Sequence, residues 1–208
     1  MYGAILGDII GSPYEFDRSG KTKEFPLFCP ESRFTDDTVM TLAVADAFLS
    51  LSANASDDEI RHQMVRSMQA FGRRYPHIGY GARFSAWLFS DDPLPMNSWG
   101  NGSAMRVSSA GWLFPDLDTV RRMARLSADV SHNHPEGIMG AEATASAIFL
   151  ARIGTPKVQI KAYIEDSFGY DLGRSCDEIR PSITMWPAAR IPSPKLSPPF
   201  WREATSRM

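Results

Sequence analysis

The sequence has almost no cysteine, no surplus of positive charge and no long apolar run, and each shortage removes a class of protein. Cys29 and Cys176 are the only cysteines. They form neither a metal-type spacing nor a disulfide framework, so a reducing cytosol is the expected setting. With 22 basic against 24 acidic residues and a formal charge of −2, there is no basic excess to hold nucleic acid. No like-charge block suggests a tail that binds a charged surface. No apolar stretch approaches the roughly 20 residues needed to span a bilayer. Residues Met1 to Asp8 also lack the basic flank and long apolar core of a secretory signal. The chain therefore reads as a soluble cytoplasmic protein, independent of membranes. Its oligomeric state is left open.

What is present is helical periodicity. The 208 residues, 43% of them hydrophobic, suit one globular domain with a sizeable core. Ala4 to Ile10 is apolar apart from Gly7 and Asp8 and reads as a buried helix. Glycines 3, 7 and 11 share one of its faces and permit close backbone approach. Residues 17–34 read as a long loop, a kind of segment that often carries function. Thr35 opens a helix with Val39, Leu42, Ala43 and Ala47 at helical spacing. Ser56 and Glu59 form a capping box for the next. Further helices are expected over Ala82–Phe89 and Ala104–Leu113, from Asp118 as a cap, from Pro135 as a first helical residue, and from Thr155-Pro156 as cap and first turn. The small, apolar run from Ile138 to Ile153 offers an Ala-rich face for close packing. No strand pair and no repeat emerge, so the expected fold is a compact all-α array over residues 1–179. From residue 180 to 208, prolines 181, 187, 192, 194, 198 and 199 rule out a long helix and predict an irregular tail.

Four segments carry chemistry. Thr35-Asp36-Asp37 gathers a hydroxyl and two carboxylates at a helix start. Hard oxygens of this kind suit Mg²⁺ or Ca²⁺, and the same residues also make a good N-terminal cap. The stretch from Gly3 to Gly11, followed by Glu15, is a packing helix with an acid just past its end. It is no dinucleotide fingerprint, because no strand precedes it. Trp99-Gly100-Asn101-Gly102-Ser103-Ala104-Met105-Arg106 is a Gly-flanked turn entering a helix. Its amides can face an anion, with Arg106 adding a cation, or it is simply a turn and cap. Ser131-His132-Asn133-His134-Pro135 suggests a polar turn that contacts phosphate or ribose, or an ordinary helix start. No further His or Cys has the spacing for zinc.

Taken in order, these segments resemble the ADP-ribosylglycohydrolase family. The matching stretches are Gly3–Asp8 with Glu15, Thr35-Asp36-Asp37-Thr38, Gly79-Tyr80-Gly81, Asn101–Arg106 and Ser131-His132 with His134-Pro135. The resemblance covers residues 1–179. It implies an orthogonal all-α fold and a cleft with two Mg²⁺ ions, in which the glycosidic bond joining ADP-ribose to a protein side chain or small molecule is hydrolysed. It casts Thr35, Asp36 and Asp37 as metal ligands, and Asn101, Gly102, Ser103, Met105 and His132 as substrate contacts. The catalytic carboxylate falls to Glu15 ahead of Asp36.

The family also carries a later acidic motif, Gly-Asp-x-Asp-Thr, that completes the metal site. No such stretch occurs here. The expectation is a truncated or frameshifted member that holds Mg²⁺ weakly and turns over little substrate. The alternatives are a non-catalytic remnant that binds ADP-ribose or a partner, or a product with no function of its own.

Overall fold

Helical spacing in the sequence becomes nine α-helices among the described residues, with no strand among them. The computed structural model describes residues 1–15 and 24–179. The Pro-rich tail expected from residue 180, and the first part of the expected 17–34 loop, lie outside the described residues.

The helices are α1 (Tyr2–Gly11), α2 (Asp36–Leu49), α3 (Asp57–Arg74), α4 (Ala82–Phe89), α5 (Ser108–Leu113), α6 (Leu117–Asp129), α7 (Pro135–Arg152), α8 (Lys157–Phe168) and α9 (Cys176–Ile179). Local chemistry sets their starts. Thr35 caps α2 by accepting from the Asp37 amide. Ser56 and Glu59 close the expected capping box on α3. Pro135 stands first in α7, with His134 as its cap.

Three expected starts move. In α8 the cap falls on Pro156, not Thr155, and the helix begins at Lys157. The cap of α6 is Asp116, which accepts from the amide and hydroxyl of Thr119 at 2.8 Å each. Asp118 instead sits in the first turn, where the helix dipole favours an acid. Before α5 the chain makes a 3₁₀ turn over Asn101–Ser103 and only becomes α-helical at Ser108. The amides of Ala104 and Met105 both turn back onto the Asn101 carbonyl there.

The core forms around α2, whose Met40, Ala43, Val44 and Ala47 are fully buried. They pack with Met64 and Met68 of α3, Leu88 of α4, Val120 and Leu126 of α6, and Ala141 and Ala145 of α7. The Ala-rich face of α7 does allow close approach. At Gly111 on α5, a Cβ would meet the Ala145 carbonyl at 2.8 Å. Glu142 of α7 is buried but paired, its carboxylate meeting Arg121 at 3.1 Å and Arg125 at 2.6 Å on α6.

Helix α1 departs from expectation. It is apolar, yet it has no buried residue; Tyr2 is 85% and Leu6 47% exposed. A Cβ at Gly3, Gly7 or Gly11 would meet nothing within 4 Å among the described residues. The glycine face read as a close-packing surface is thus open among them.

Candidate active site

Asp8 holds the site together, and it does so from the middle of an otherwise apolar helix. Its Oδ1 accepts from the Thr35 hydroxyl at 2.6 Å. Its Oδ2 accepts from the Thr35 amide at 2.8 Å and the Thr38 amide at 3.2 Å, and also from the Thr38 hydroxyl. One carboxylate thereby binds amides and hydroxyls at the mouth of α2, where unpaired N–H groups and the helix dipole favour negative charge. The end of α1 is tied down as well. The Arg33 amide donates to Ser12 Oγ at 3.0 Å, and the Tyr14 hydroxyl donates to the Pro26 carbonyl at 3.1 Å. These ties deliver Glu15 to the same mouth.

The result is a triplet of acids. Asp8, Glu15 and Asp37 each offer a carboxylate oxygen within 4.8 Å of the others, and all three are half-buried. Carboxylates held this close repel unless a cation or proton neutralises them. All the donors are hard oxygens, so the set suits Mg²⁺ or Ca²⁺. Asp8 already accepts four hydrogen bonds, three of them on Oδ2. A carboxylate has about four lone-pair sites in all, so Asp37 and Glu15 are better placed than Asp8 to ligate directly. Thr35 is buried, and its hydroxyl donates to Asp8.

Asp36 is not part of the triplet. It is only 5% exposed, and its charge acts on the phenol of Tyr80. Burial first, and Asp36 second, push Tyr80 above its ordinary pKa. Adjacent acids in one motif therefore have two environments, Asp37 half-buried in the triplet and Asp36 buried outside it, near enough for its charge to act on Tyr80. An aromatic wall runs from Tyr80 to Phe84, ring centroids 6.0 Å apart, and from Phe84 to His132, again 6.0 Å apart.

The two polar segments predicted further along the chain are laced together. The Met96 amide donates to the Ser131 carbonyl at 3.0 Å, and the Asn97 amide to Asn133 Oδ1 at 2.7 Å. Ser103 Oγ donates to the Gly137 carbonyl at 2.7 Å. A Cβ at Gly102 would lie 2.5 Å from His132 Nε2, so only glycine lets the turn sit against that ring. Met105 links this unit to α2, its carbonyl accepting from the Thr41 hydroxyl at 3.4 Å. The Asn101 side chain turns inward, with a buried Oδ1 that has no hydrogen-bond partner among the described residues.

Two expectations change here. Arg106 does not offer a surface cation. It is fully buried and donates to the Ser127 carbonyl at 2.7 Å and to Ser131 Oγ at 2.8 Å. The Asn101–Met105 amides are also not a simple anion cradle at a helix start, since two of them serve the Asn101 carbonyl. Asp8 was the residue missed. A lone acid in an apolar helix, seven residues before Glu15, was the available signal.

Comparison with known proteins fits this geometry. A family model described as ADP-ribosylglycohydrolase matches residues 1–195. The chain is 30% identical over 183 residues to human ADP-ribosylhydrolase ARH3, covering 74% of this chain and 49% of that protein. It is 28% identical over 173 residues to the uncharacterized protein YegU of Escherichia coli (strain K12), covering 71% and 51%. To ADP-ribosylhydrolase ARH1 of Dictyostelium discoideum it is 25% identical over 180 residues, covering 72% and 45%. The chain spans about half the length of the curated relatives it matches.

Proposed function

The chain belongs to the ADP-ribosylglycohydrolase family, and from that premise we propose that its site acts on the glycosidic bond between ADP-ribose and a protein side chain or small molecule, with Mg²⁺ as the cation. The observation that carries this reading is the convergence of Asp8, Glu15 and Asp37 on the hydroxyl-bearing mouth of α2. Thr35, Asp36 and Asp37 are the proposed ligand motif, with Asp37 the carboxylate nearest the triplet. Bound there, Mg²⁺ supplies a hard Lewis acid that polarises oxygens of the ribose or of water. Glu15 takes the proton from the water whose oxygen bonds to the anomeric carbon, and that proton is returned to the departing nitrogen or oxygen of the acceptor. Negative charge from the triplet stabilises the positive character that grows on the ribose as the anomeric bond breaks. The unit formed by Asn101, Gly102, Ser103, Met105 and His132 holds the rest of the ADP-ribose.

The acidic side of the site is sparse. Three carboxylates converge among the described residues, and the second acidic motif implied by the resemblance does not occur in the sequence. Loss of even an outer-shell partner of a metal typically costs about 10–100-fold in affinity or activity. We therefore expect weak Mg²⁺ binding and little turnover from these 208 residues by themselves. A second reading, a non-catalytic binder of ADP-ribose, is favoured by the 96–106 and 131–137 unit, whose two segments are hydrogen-bonded to each other within this chain. The cytoplasm is the proposed setting, on the cysteine pattern, and neither nucleic acid nor membrane is a proposed partner. No helix among the described residues is long and apolar enough to cross a membrane.

The deciding experiment is a glycohydrolase assay on an ADP-ribosylated protein, with Mg²⁺ and with EDTA, beside calorimetric titration with ADP-ribose. Mg²⁺-dependent release of ADP-ribose that Glu15→Gln abolishes supports the enzyme. Binding without release supports the binder. Neither binding nor release sinks both.

A further inference from the structure

Behind the Asn101–Ser103 turn, a buried hydrogen-bond chain leads from Arg106 through Ser131 to His132. Arg106 is 0% exposed, and its guanidinium stands over the Phe84 ring, 5.6 Å from the centroid. It donates to Ser131 Oγ at 2.8 Å. Ser131 Oγ in turn lies 2.9 Å from His132 Nδ1. Ser131 is 0% and His132 2% exposed. On its other edge the imidazole meets the backbone at Gly102, where a Cβ would fall 2.5 Å from Nε2. Arginine, serine, imidazole and turn are therefore stacked in one line of contacts.

Each link constrains the next. A guanidinium only donates, so one lone pair of Ser131 Oγ is committed to Arg106. The hydroxyl then has a fixed position from which to engage Nδ1. The bond made by one ring nitrogen sets the state and orientation of the other, and buried polar chains of this kind specify one arrangement when satisfied. Phe84 closes one side of the chain, in contact with both the Arg106 guanidinium and the His132 ring.

We propose that Arg106 and Ser131 are positioning residues, which hold the His132 imidazole, and through it the Gly102 backbone, in the arrangement that receives ADP-ribose. The ligand part of this inference rests on the function proposed above. The hydrogen-bond chain itself can be read without any ligand.

The test uses the full chain labelled with ¹⁵N in its histidines. Loss of one pair of ring signals in His132→Gln assigns His132 among the four histidines. In Ser131→Ala the His132 ring nitrogens are expected to shift and redistribute between tautomers, while those of His62, His77 and His134 stay in place. ADP-ribose is expected to bind about tenfold more weakly, as for loss of one well-made hydrogen bond. Arg106→Lys should move the same ring signals, because lysine cannot reproduce the planar fork. A Ser131→Ala protein that melts earlier but keeps its His132 signals and its ADP-ribose affinity would show a purely structural role and overturn the proposal. If Ser131→Ala does not fold, Ser131→Cys keeps the size, weakens the acceptor, and is read the same way. If the unaltered chain binds no ADP-ribose, the proposed function and the ligand part of this inference both fail. The ring signals then still decide the positioning chain.

Discussion

Replacing Asp8 by asparagine tests whether one carboxylate fastens α1 to α2. The side chain keeps its shape but loses its charge, and one oxygen becomes an amide nitrogen facing donors. If the remaining oxygen stays at the Oδ2 position, it keeps the Thr35 and Thr38 amides and the Thr38 hydroxyl. The Thr35 hydroxyl, now 2.6 Å from an acceptor, then faces another donor. Hydrogen bonds to a charged group contribute about 1.5–3 kcal/mol each and neutral ones about 0.5–1.5. Downgrading three and losing one thus costs about 3–4 kcal/mol, allowing for the half-exposed setting. Relief of repulsion from Glu15 and Asp37, both within 4.8 Å, returns roughly 1 kcal/mol in all at a water-like dielectric and physiological salt. The expected net loss is about 2–3 kcal/mol, a fall in Tm of about 5–10 °C for a chain of this size. Urea unfolding should show the loss as a lower midpoint at unchanged slope. Glu15→Gln provides the contrast, with stability equal to the parent or raised by about 1 kcal/mol as the same repulsion is relieved, but no stabilisation by added Mg²⁺. An Asp8→Asn protein as stable as its parent would refute the fastening role.

Gly7→Ala should stabilise the chain by about 0.5–1 kcal/mol, because alanine favours a helix and its Cβ would meet nothing within 4 Å among the described residues; a lower urea midpoint would instead point to a packing surface there. Gly102→Ala should cost about 1–3 kcal/mol by overpacking against His132 and weaken ADP-ribose binding, which thermal melts and calorimetry would detect. Glu59 is held below its ordinary pKa, first by the Ser56 amide and then by the Ser56 hydroxyl. Its stabilising effect should therefore be present above the unfolded-state value and disappear as pH falls through the lower folded-state value. Urea midpoints measured down through the carboxylate range should fall less steeply for Glu59→Gln than for the parent; parallel curves would count against it.

The fold was legible where local chemistry decides the element. Thr35, Ser56 with Glu59, and Pro135 announce the starts of α2, α3 and α7, and each structure agrees. The Asp118 cap failed because two acids lie two residues apart, each a good local cap, and it is Asp116 that accepts from the Thr119 amide three residues on. The early start expected for α5 failed because Ala104 to Val107 has good helix formers, but the segment is held in turns by Asn101 and by the buried Arg106. In the site, spacing alone could bring Thr35, Asp36 and Asp37 to one helix mouth. It could not tell that Asp37 joins Glu15 while Asp36 is buried outside the triplet, its charge acting on Tyr80, since that depends on how α2 is rotated within the core. The inward turn of Arg106 was hidden for the same reason.

Asp8 links the stability of the fold to the chemistry of the site. A metal-binding acid must keep lone pairs available, whereas a fastening acid uses them up, and Asp8 accepts four hydrogen bonds. Glu15 and Asp37 are the other two acids of the triplet, each with a carboxylate oxygen within 4.8 Å of Asp8. Their negative charge is concentrated against a helix mouth already neutralised in part by Asp8. A cation arriving there gains from two acids and feels a third mainly through space. The chain's affinity for Mg²⁺ should accordingly follow Glu15 and Asp37 closely. Its resistance to unfolding should follow Asp8 and the two threonines, Thr35 and Thr38, that donate to it.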